Sequence, residues 1–449
     1  MHSCTSFRIA AIAALLSLGI TLHAQGSGAS PYSAYGFGDL LSTGQVSQAI
    51  MGGTGVAFTE PYSVILGNPA SYVGLARPVF EVGTSFRRST LTYADGKAKS
   101  SDGNFEGFTF GVPFARGKWG MALGLTPFSD VDYSANTSAP FDEGTVQYQY
   151  LGSGGVNKVF LGLGHTLWEH RPDSLGNTGS RLLLGVDGNY FFGSLEQTRN
   201  AIYPPDGTFK NVRAFSSLKL RGISSTASMI WQGDLTRKHA KDQDNWRYNI
   251  GLTAQLPVNF NATYSNLIST YTVSSDVETV LDTVQNNDGV KGKVDLPIGL
   301  GFGVGIQNAK WLFTAEVRTR DWSATTVNVG DYSFGTVLRK SMTYAVGARY
   351  KPSSEGTLLQ RMVYRAGIRH LDAPAELEGQ VVSGNALTFG VSIPLNQVQT
   401  NSFINIGGEY GRRGTGTTDL LKEHYGTLWI GITFTPWKGE RWFTAPKIQ

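Results

Sequence analysis

The chain has 449 residues with 56 glycines, 24 Phe, 19 Tyr and 9 Trp, yet only 16% of its residues are charged. Soluble domains carry about 25% charged residues, and the formal net charge of +4 is too small and too evenly spread to indicate a nucleic-acid partner. The aromatic content excludes a largely disordered chain. No run of about 18 apolar residues follows the N-terminal stretch, which excludes a helical membrane protein. Much glycine, many aromatic residues and few charges are typical of a transmembrane β-barrel.

Residues 1–24 are predicted to be a secretory signal peptide. Arg8 precedes an apolar stretch from Ile9 to about Leu22. Ala24 then provides the small residue that signal peptidase prefers, so cleavage is placed before Gln25. A retained membrane anchor is the alternative, but the apolar stretch is short and interrupted. Cleavage would remove Cys4, the sole cysteine, so the exported protein is expected to contain no disulfide bond.

Residues 25–78 do not alternate and are predicted to form a plug, or hatch, inside the barrel. Their glycine and proline residues would provide tight turns. A disordered leader is the alternative, but apolar side chains such as Ile50, Met51, Val64 and Ile65 favour a packed segment.

Residues 79–449 are predicted to form the barrel, because large apolar residues alternate there with small or polar ones. Within Ile298–Ile306 every second residue is large and apolar and every residue between is glycine. The apolar set would face lipid and the glycines the lumen. A soluble β-sandwich also alternates, but long strands and aromatic residues near strand ends favour a transmembrane antiparallel barrel of about 14 strands. The aromatic residues expected at the membrane interfaces are Tyr344, Tyr350, Trp429 and Trp437.

The connections between the predicted strands alternate between short turns and long loops, as in outer-membrane barrels. With both chain ends in the periplasm, the long segments would face outward. These predicted outer loops are 129–142, 261–295, 323–341, 371–384 and 412–424. Residues 143–166 form the fourth strand in this scheme, and Gly152, Gly154 and Gly155 are candidates for a kink there. A plain bulge is the alternative, and an uninterrupted fourth strand would remove the kink.

Four charged residues, Glu316, Arg318, Arg365 and Arg369, fall on the predicted lumen face of their strands. They are expected either to pair with other charges or to contact a solute. Pairing is favoured because an unpaired charge in a partly dehydrated lumen is costly. The histidine spacings match no zinc-protease motif, and the sequence has neither a nucleophile elbow nor a phosphate-binding loop. The protein is therefore expected to be no enzyme and to use no cofactor or metal.

The segment Met51–Phe58 and the later Asn68-Pro69-Ala70-Ser71 resemble the N-terminal hatch of the FadL/TodX family of outer-membrane transporters. The resemblance implies a barrel of about 14 strands closed by the hatch, through which long-chain fatty acids or hydrocarbons diffuse passively. In that family a kink in the third strand opens the barrel wall sideways. The residues that the resemblance assigns to the hatch are Gly52, Gly53, Gly55, Asn68, Pro69, Ala70 and Ser71.

The segments Ser30–Asp39 and Arg441–Lys447 look more like a divergent branch of the same family, which includes the PorV-type subunits of the type IX secretion system. This second resemblance implies an accessory barrel in a protein-secretion or envelope-assembly complex. Segments 261–295 and 323–341 would then be docking surfaces.

Two functions are therefore expected at the cell outer membrane. The first is passive transport of hydrophobic small molecules, with outer-membrane lipid and an apolar ligand or a detergent as partners. The second is the accessory subunit, with other envelope or secretion proteins as partners. A continuous apolar tunnel would favour transport, whereas a sealed lumen with an apolar patch on one loop would favour the subunit.

Overall fold

The computed structural model describes residues 30–436 except 42–43, 94–95, 116, 143, 171–178, 205–207, 236–244, 275–276, 396–400 and 416–420. The predicted signal peptide, residues 25–29 and the Arg441–Lys447 segment lie outside these residues. The described chain forms a closed antiparallel barrel of 14 strands, which confirms the predicted fold class. The barrel closes where β14 pairs with β1. The strands are β1 Val79–Tyr93, β2 Gly96–Ala115, β3 Trp119–Asp130 and Tyr133–Phe141, β4 Gly144–His170, β5 Ser180–Ile202, β6 Asn211–Asp234, β7 Arg247–Gln255 and Val258–Ser274, β8 Val277–Leu296 and Gly299–Gln307, β9 Trp311–Asp321, β10 Lys340–Tyr350, β11 Val363–Leu377, β12 Gln380–Pro394, β13 Phe403–Gly414 and β14 Lys422–Phe434.

The remaining elements are short. They are the strands Asp39–Leu40 and Thr326–Asn328, the α-helices Val46–Ala49 and Leu358–Arg361, and the 3-10 helices Pro31–Ala34, Pro69–Gly74 and Trp322–Ala324. None of the helices in the described part of the chain is long and apolar enough to cross a membrane. The end at which β1 begins and β14 ends is called the terminal end below, and the opposite end is called the hairpin end.

The two faces of the wall follow the predicted alternation. In β8, Leu300, Phe302 and Val304 point outward and are 42–49% exposed. Between them, Gly303 faces inward, where an added Cβ would lie 2.9 Å from the Cβ of Ala57. Successive side chains on a pleated strand point to opposite faces. The alternation of large apolar and small residues therefore gives the barrel an apolar outer belt and an inner face of small residues.

Residues 30–78, called the N-terminal segment below, pack against this inner face. An added Cβ at Gly120 would lie 2.0 Å from the carbonyl oxygen of Tyr72, and one at Gly251 would lie 2.0 Å from the carbonyl oxygen of Val56. Only glycine permits backbone to approach backbone this closely. The inward glycines of the strands therefore make room for the backbone of the segment.

Replacing Gly251 by alanine is expected to destabilise the barrel by about 1–3 kcal/mol, because the new methyl group overlaps the Val56 carbonyl. The temperature at which the folded barrel loses its compact migration on a gel measures the effect. Gly188→Ala is the matched control, because no atom lies within 4 Å of a Cβ added there. Equal transition temperatures for the two variants would contradict the close packing.

Three of the five predicted outer loops are wrong, since the strands continue through them as paired hairpins. Segment 129–142 contains the second part of β3, segment 261–295 contains parts of β7 and β8, and segment 371–384 contains the tips of β11 and β12. Beyond the apolar belt both faces of a strand meet water, so the ladder persists without the alternation that reveals it. Segment 323–341 is mostly irregular, and part of 412–424 lies outside the described residues.

One predicted interface residue faces the other way. Trp429 is 5% exposed and packs with Val46, Ala49 and Ile50 of the N-terminal segment. It lies between the outward Leu428 and Ile430, so strand parity directs it inward. Tyr344 is 46% exposed, and the ring centroid of Tyr350 lies 4.2 Å from that of Trp311. Trp437 lies outside the described residues.

Of the two possibilities for the fourth strand, a kink or a plain bulge, the structure has the bulge, because β4 pairs with β5 without interruption past the glycines. Gly154 and Gly155 have φ angles of +102° and +152°, and added Cβ atoms there would meet the carbonyl oxygens of Ser194 and Ser129 at 2.2 and 2.3 Å. The glycines form a tight bulge. The interruption lies opposite them in β3, between Asp130 and Tyr133.

Candidate functional site

The wall between β2 and β3 is paired only in its terminal half. The ladder of the two strands ends at Phe108 and Leu125. Further along β3, Pro127 accompanies a register shift, as expected for a residue that cannot donate a backbone hydrogen bond. No pairing of β2 with β3 follows in the described residues. We call this unpaired stretch the β2–β3 seam.

The N-terminal segment takes the place of β2 at the seam. Asp39 pairs with Asp130 and Leu40 with Ser129, so a two-residue strand adds to the free edge of β3. Asp39 is held by Arg413 of β13, whose Nη1 and Nη2 lie 2.7 and 3.0 Å from its carboxylate oxygens. The strand that covers the seam is therefore tied across the lumen by a bidentate ion pair.

A cavity of about 270 Å³ lies inside the barrel beside the seam. Its apolar lining includes Leu40, Leu41, Leu66, Phe128 and Trp322. We call it the lumen cavity. Because Leu40 and Leu41 line it, the same short segment covers the seam and bounds the cavity.

Two cations line this cavity without an ion-pair partner among the described residues. Arg320 is 8% exposed; its Nη2 donates to the Gln255 side-chain oxygen, and its guanidinium carbon lies 5.2 Å from the centroid of the Trp322 ring. Lys158 has its ammonium 5.7 Å from the centroid of Phe160. Burying unpaired charge is costly. The cavity is thus suited chemically to an apolar molecule that carries an acidic group.

One carboxylate lines the lumen cavity without a cation in direct contact. Asp187 is 4% exposed. It accepts hydrogen bonds from the Asn189 side chain and, at 3.0 Å, from the Thr226 backbone N–H. These donors occupy one of its oxygens, so Asp187 offsets part of the positive charge without pairing with Arg320 or Lys158.

The hairpin end of the lumen is filled by aromatic rings. Phe37 of the N-terminal segment has ring centroids of Phe334, Trp322 and Phe260 at 4.8, 5.7 and 6.0 Å. Burial of such rings is strongly favourable. These rings therefore form a packed aromatic cluster around Phe37 at the hairpin end of the lumen.

The predicted lumen residues Glu316 and Arg318 meet the predicted hatch glycines. Glu316 Oε1 lies 2.9 Å from Arg318 Nη2, and Glu316 Oε2 accepts hydrogen bonds from the backbone N–H groups of Gly55 and Val56, both at 2.8 Å. Arg318 also donates to the Gly53 carbonyl oxygen at 2.6 Å. These two side chains hold the backbone of the N-terminal segment to β9.

Arg365 and Arg369 are both paired, but with different partners. Glu60 of the N-terminal segment forms two ion pairs. Its Oε2 lies 3.2 Å from Arg365 Nη2, and its Oε1 lies 3.0 Å from Arg349 Nη1. Burial raises the pKa of Glu60, but the two guanidinium groups outweigh burial and hold it below its usual value. Arg369 pairs with Glu409 at 2.8 Å.

The Asn68-Pro69-Ala70-Ser71 turn lies near the end of the N-terminal segment, shortly before β1 begins. Asn68 Oδ1 accepts from the Ala70 N–H at 3.0 Å and caps the 3-10 helix, while Asn68 Nδ2 donates to the Val56 carbonyl at 2.7 Å. Ser71 Oγ donates to the Ile65 carbonyl at 3.2 Å. The turn therefore connects three parts of the N-terminal segment.

The glycines of the other predicted hatch motif adopt backbone conformations with positive φ angles. Gly52 and Gly53 have φ angles of +73° and +77°, a region that other residues resist. The Gly52 N–H donates to Thr388 Oγ1 at 2.9 Å. The structure thus places the predicted hatch and lumen residues inside the lumen. The glycines named as a possible kink lie in the barrel wall instead.

Several residues of the site were missed by sequence reasoning. Arg320 follows the predicted Arg318 by two positions, so strand parity alone indicates its lumen face. Lys158 could be found by the same parity in β4. Glu60 and Asp39 could not, because the N-terminal segment has no regular period that assigns a direction to a side chain.

Comparison with known proteins gives a sequence family and a set of similar folds. The sequence model described as BamG matches residues 7–449. No curated protein sequence matches the chain.

Solved structures resemble the barrel at low sequence identity. The Ralstonia pickettii toluene transporter TbuX is 15% identical, with a TM-score of 0.52 over 88% of this chain and 99% of that one. The P. putida toluene transporter TodX is 14% identical, with a TM-score of 0.52 over 89% and 100%. A Pseudomonas aeruginosa FadL homologue is 12% identical, with a TM-score of 0.51 over 88% and 99%.

These similarities confirm the FadL/TodX-like fold, whereas the resemblance to the PorV-type branch is not confirmed. Because the matching family model spans nearly the whole sequence, the chain belongs to the BamG family.

Proposed function

We propose that the protein is an outer-membrane barrel that lets apolar molecules with an acidic group, of the long-chain fatty acid type, diffuse passively into the membrane. The observation that carries the proposal is the lumen cavity, which combines apolar side chains with Arg320 and Lys158 and lies against the unpaired β2–β3 seam. The resemblance to barrels named as toluene transporters and as a FadL homologue supports an apolar ligand.

The N-terminal segment would act as the hatch. Its contacts with Glu316, Arg318, Arg349 and Arg365 block a straight path to the terminal end, which would face the periplasm. The shortest way out of the lumen cavity is then sideways, through the seam, once Asp39–Leu40 moves away from β3. The acidic group of the ligand would pair with Arg320, while the hydrocarbon chain of the ligand would lie against Leu40 and Leu41.

Arg320→Gln is expected to weaken palmitate binding about tenfold, because it removes one of the two lumen-cavity cations that lack a carboxylate partner. Binding of methyl palmitate, which has the same chain and no charge, should stay nearly unchanged. Tryptophan fluorescence of the protein in detergent with each ligand measures both affinities. Equal losses for the acid and the ester, or no loss for either, would contradict a role for Arg320 in recognising the acid.

A second candidate function is that of an accessory subunit in a secretion or envelope-assembly complex. The hairpin of β7 and β8 favours it, because five large apolar side chains near its tip are 51–65% exposed, a feature of interaction surfaces. The aromatic closure of the hairpin end is consistent with it. The residues are Val273, Val277, Val280, Leu281 and Val284.

If the hairpin binds a partner, Val280→Lys/Val284→Lys should abolish stoichiometric co-purification of that protein from native outer membranes in mild detergent. Mass spectrometry of the captured proteins measures the loss. Val381→Lys is the matched control, because Val381 is an exposed apolar residue at the tip of the β11–β12 hairpin, outside both predicted docking segments. A lone barrel that carries fatty acids would exclude the subunit function.

A further inference from the structure

A second cavity, of about 330 Å³, lies at the terminal end of the barrel. Its lining comes from Ser47 and residues 59–63 of the N-terminal segment and from the ends of several strands. It shares no residue with the lumen cavity. We call it the terminal cavity. Its volume is within the range of small-molecule sites, which begins at about 300 Å³.

Positive charge exceeds negative charge around the terminal cavity. Its lining contains Arg247, Arg349, Lys351 and Arg365 but only one carboxylate, Glu60. Arg247 is balanced from outside the lining by Asp234, at 3.3 Å. Arg349 and Arg365 share Glu60, and Lys351 forms no ion pair among the described residues.

One further acid lies behind the cavity wall. Glu81 is 3% exposed and accepts hydrogen bonds from Ser63 Oγ, the Val64 N–H and Thr433 Oγ1 at 3.0, 2.7 and 3.2 Å. It does not line the cavity. Counting it as ionised still leaves one positive charge in excess at the cavity.

The arginines also have unused donors. The Nε atoms of Arg349 and Arg365 are buried and have no hydrogen-bond partner in the part of the chain that the structure describes. A guanidinium presents a planar fork that matches carboxylate and phosphate oxygens, and a buried donor without a partner is costly. The free donors and the excess charge both suit an anionic group.

We propose that the terminal cavity is a binding site for a small organic anion that carries a carboxylate or phosphate group. Lys351 and the Arg349–Arg365 pair receive the anionic group, and the rest of the cavity accommodates the molecule that bears it. The site is independent of the lumen cavity, so it does not rest on the proposed transport. A ligand there would contact both Glu60's arginines and residues 59–63, and so would link the N-terminal segment to β10 and β11.

Calorimetric titration of the full barrel in detergent, at constant ionic strength, tests the proposal with succinate and with inorganic phosphate as probes. Saturable binding of at least one probe is expected, with the neutral succinamide giving none. Lys351→Met should weaken binding about tenfold, since it removes the cation without an ion-pair partner. Lys310→Met is the matched control, because Lys310 is exposed in the adjoining turn and does not line the cavity.

A third probe, palmitate, distinguishes between two sources of the anionic group: a transported molecule and a soluble anion. Palmitate that competes with succinate in this assay would identify the acidic group of a transported molecule as the ligand, whereas succinate binding unaffected by palmitate would identify a soluble anion. Arg320→Gln should leave succinate binding unchanged even if it impairs palmitate binding in the lumen cavity. The proposal is overturned if neither probe binds saturably, or if Lys351→Met and Lys310→Met bind with equal affinity.

Discussion

Oxidising the double variant Leu40→Cys/Ser129→Cys is expected to reduce palmitate uptake at least about tenfold relative to the reduced protein. Leu40 and Ser129 are direct partners in the antiparallel pair that covers the seam. Paired residues of this kind have Cα atoms about 4.5–5.5 Å apart, within the range of a disulfide. The bond would hold the strand Asp39–Leu40 against β3 and so keep the seam covered.

The background for this experiment is favourable, because Cys4 is the sole cysteine in the sequence and belongs to the predicted signal peptide. Leu387→Cys/Tyr410→Cys is the matched control, since these residues are partners on the outer face of β12 and β13. Uptake of labelled palmitate into cells, with and without reductant, measures both pairs. The same rate before and after reduction in the first pair would mean that the molecule does not leave by the seam.

Glu316→Ala is expected to open the barrel to ions. Glu316 is fully buried at its side chain and holds Arg318 and the Gly55 and Val56 amides. Removing one partner of a buried pair destabilises by about 3–5 kcal/mol, and most of that change falls on the attachment of the N-terminal segment. Conductance in planar bilayers should rise from small, rare events to frequent openings.

The control for this prediction also replaces a glutamate by alanine, but at the hairpin end of the barrel. Glu376→Ala removes a carboxylate that pairs with Arg339 at the hairpin end, so conductance should remain at the level of the unaltered protein. Glu316→Gln should give an intermediate result, because its amide oxygen can still accept both backbone hydrogen bonds, whereas its NH2 group cannot pair with Arg318. An unaltered conductance for Glu316→Ala would show that other contacts suffice to hold the segment.

The period-2 pattern predicts the barrel wall well, because the environment of a strand changes between its two faces. Leu300 and Gly303 are assigned correctly to opposite faces for this reason. The same pattern ends where both faces meet water, so the pattern wrongly predicts a loop where β7 and β8 form a paired hairpin. Trp429 shows that parity is a better guide than residue type.

The seam could not be predicted in the same way. It arises because β3 exchanges β2 for the strand Asp39–Leu40, a choice made by tertiary contacts such as that of Asp39 with Arg413. Resemblance to a family with a kinked third strand predicts a sideways opening, whereas the glycine pattern places the possible kink in β4. The cations of the lumen cavity follow from parity, but their lack of acidic partners depends on the folded neighbours.

The link between Ser30 and Glu423 bears on the order in which the molecule can form. Ser30 Oγ donates to Glu423 Oε2 across 393 positions of sequence, and Glu423 lies on β14, the strand that closes the barrel against β1. Contacts of such long sequence separation form slowly and late. Pairing of β14 with β1 therefore both completes the wall and brings Glu423 to Ser30, so we expect the N-terminal segment to be fixed in place late in folding.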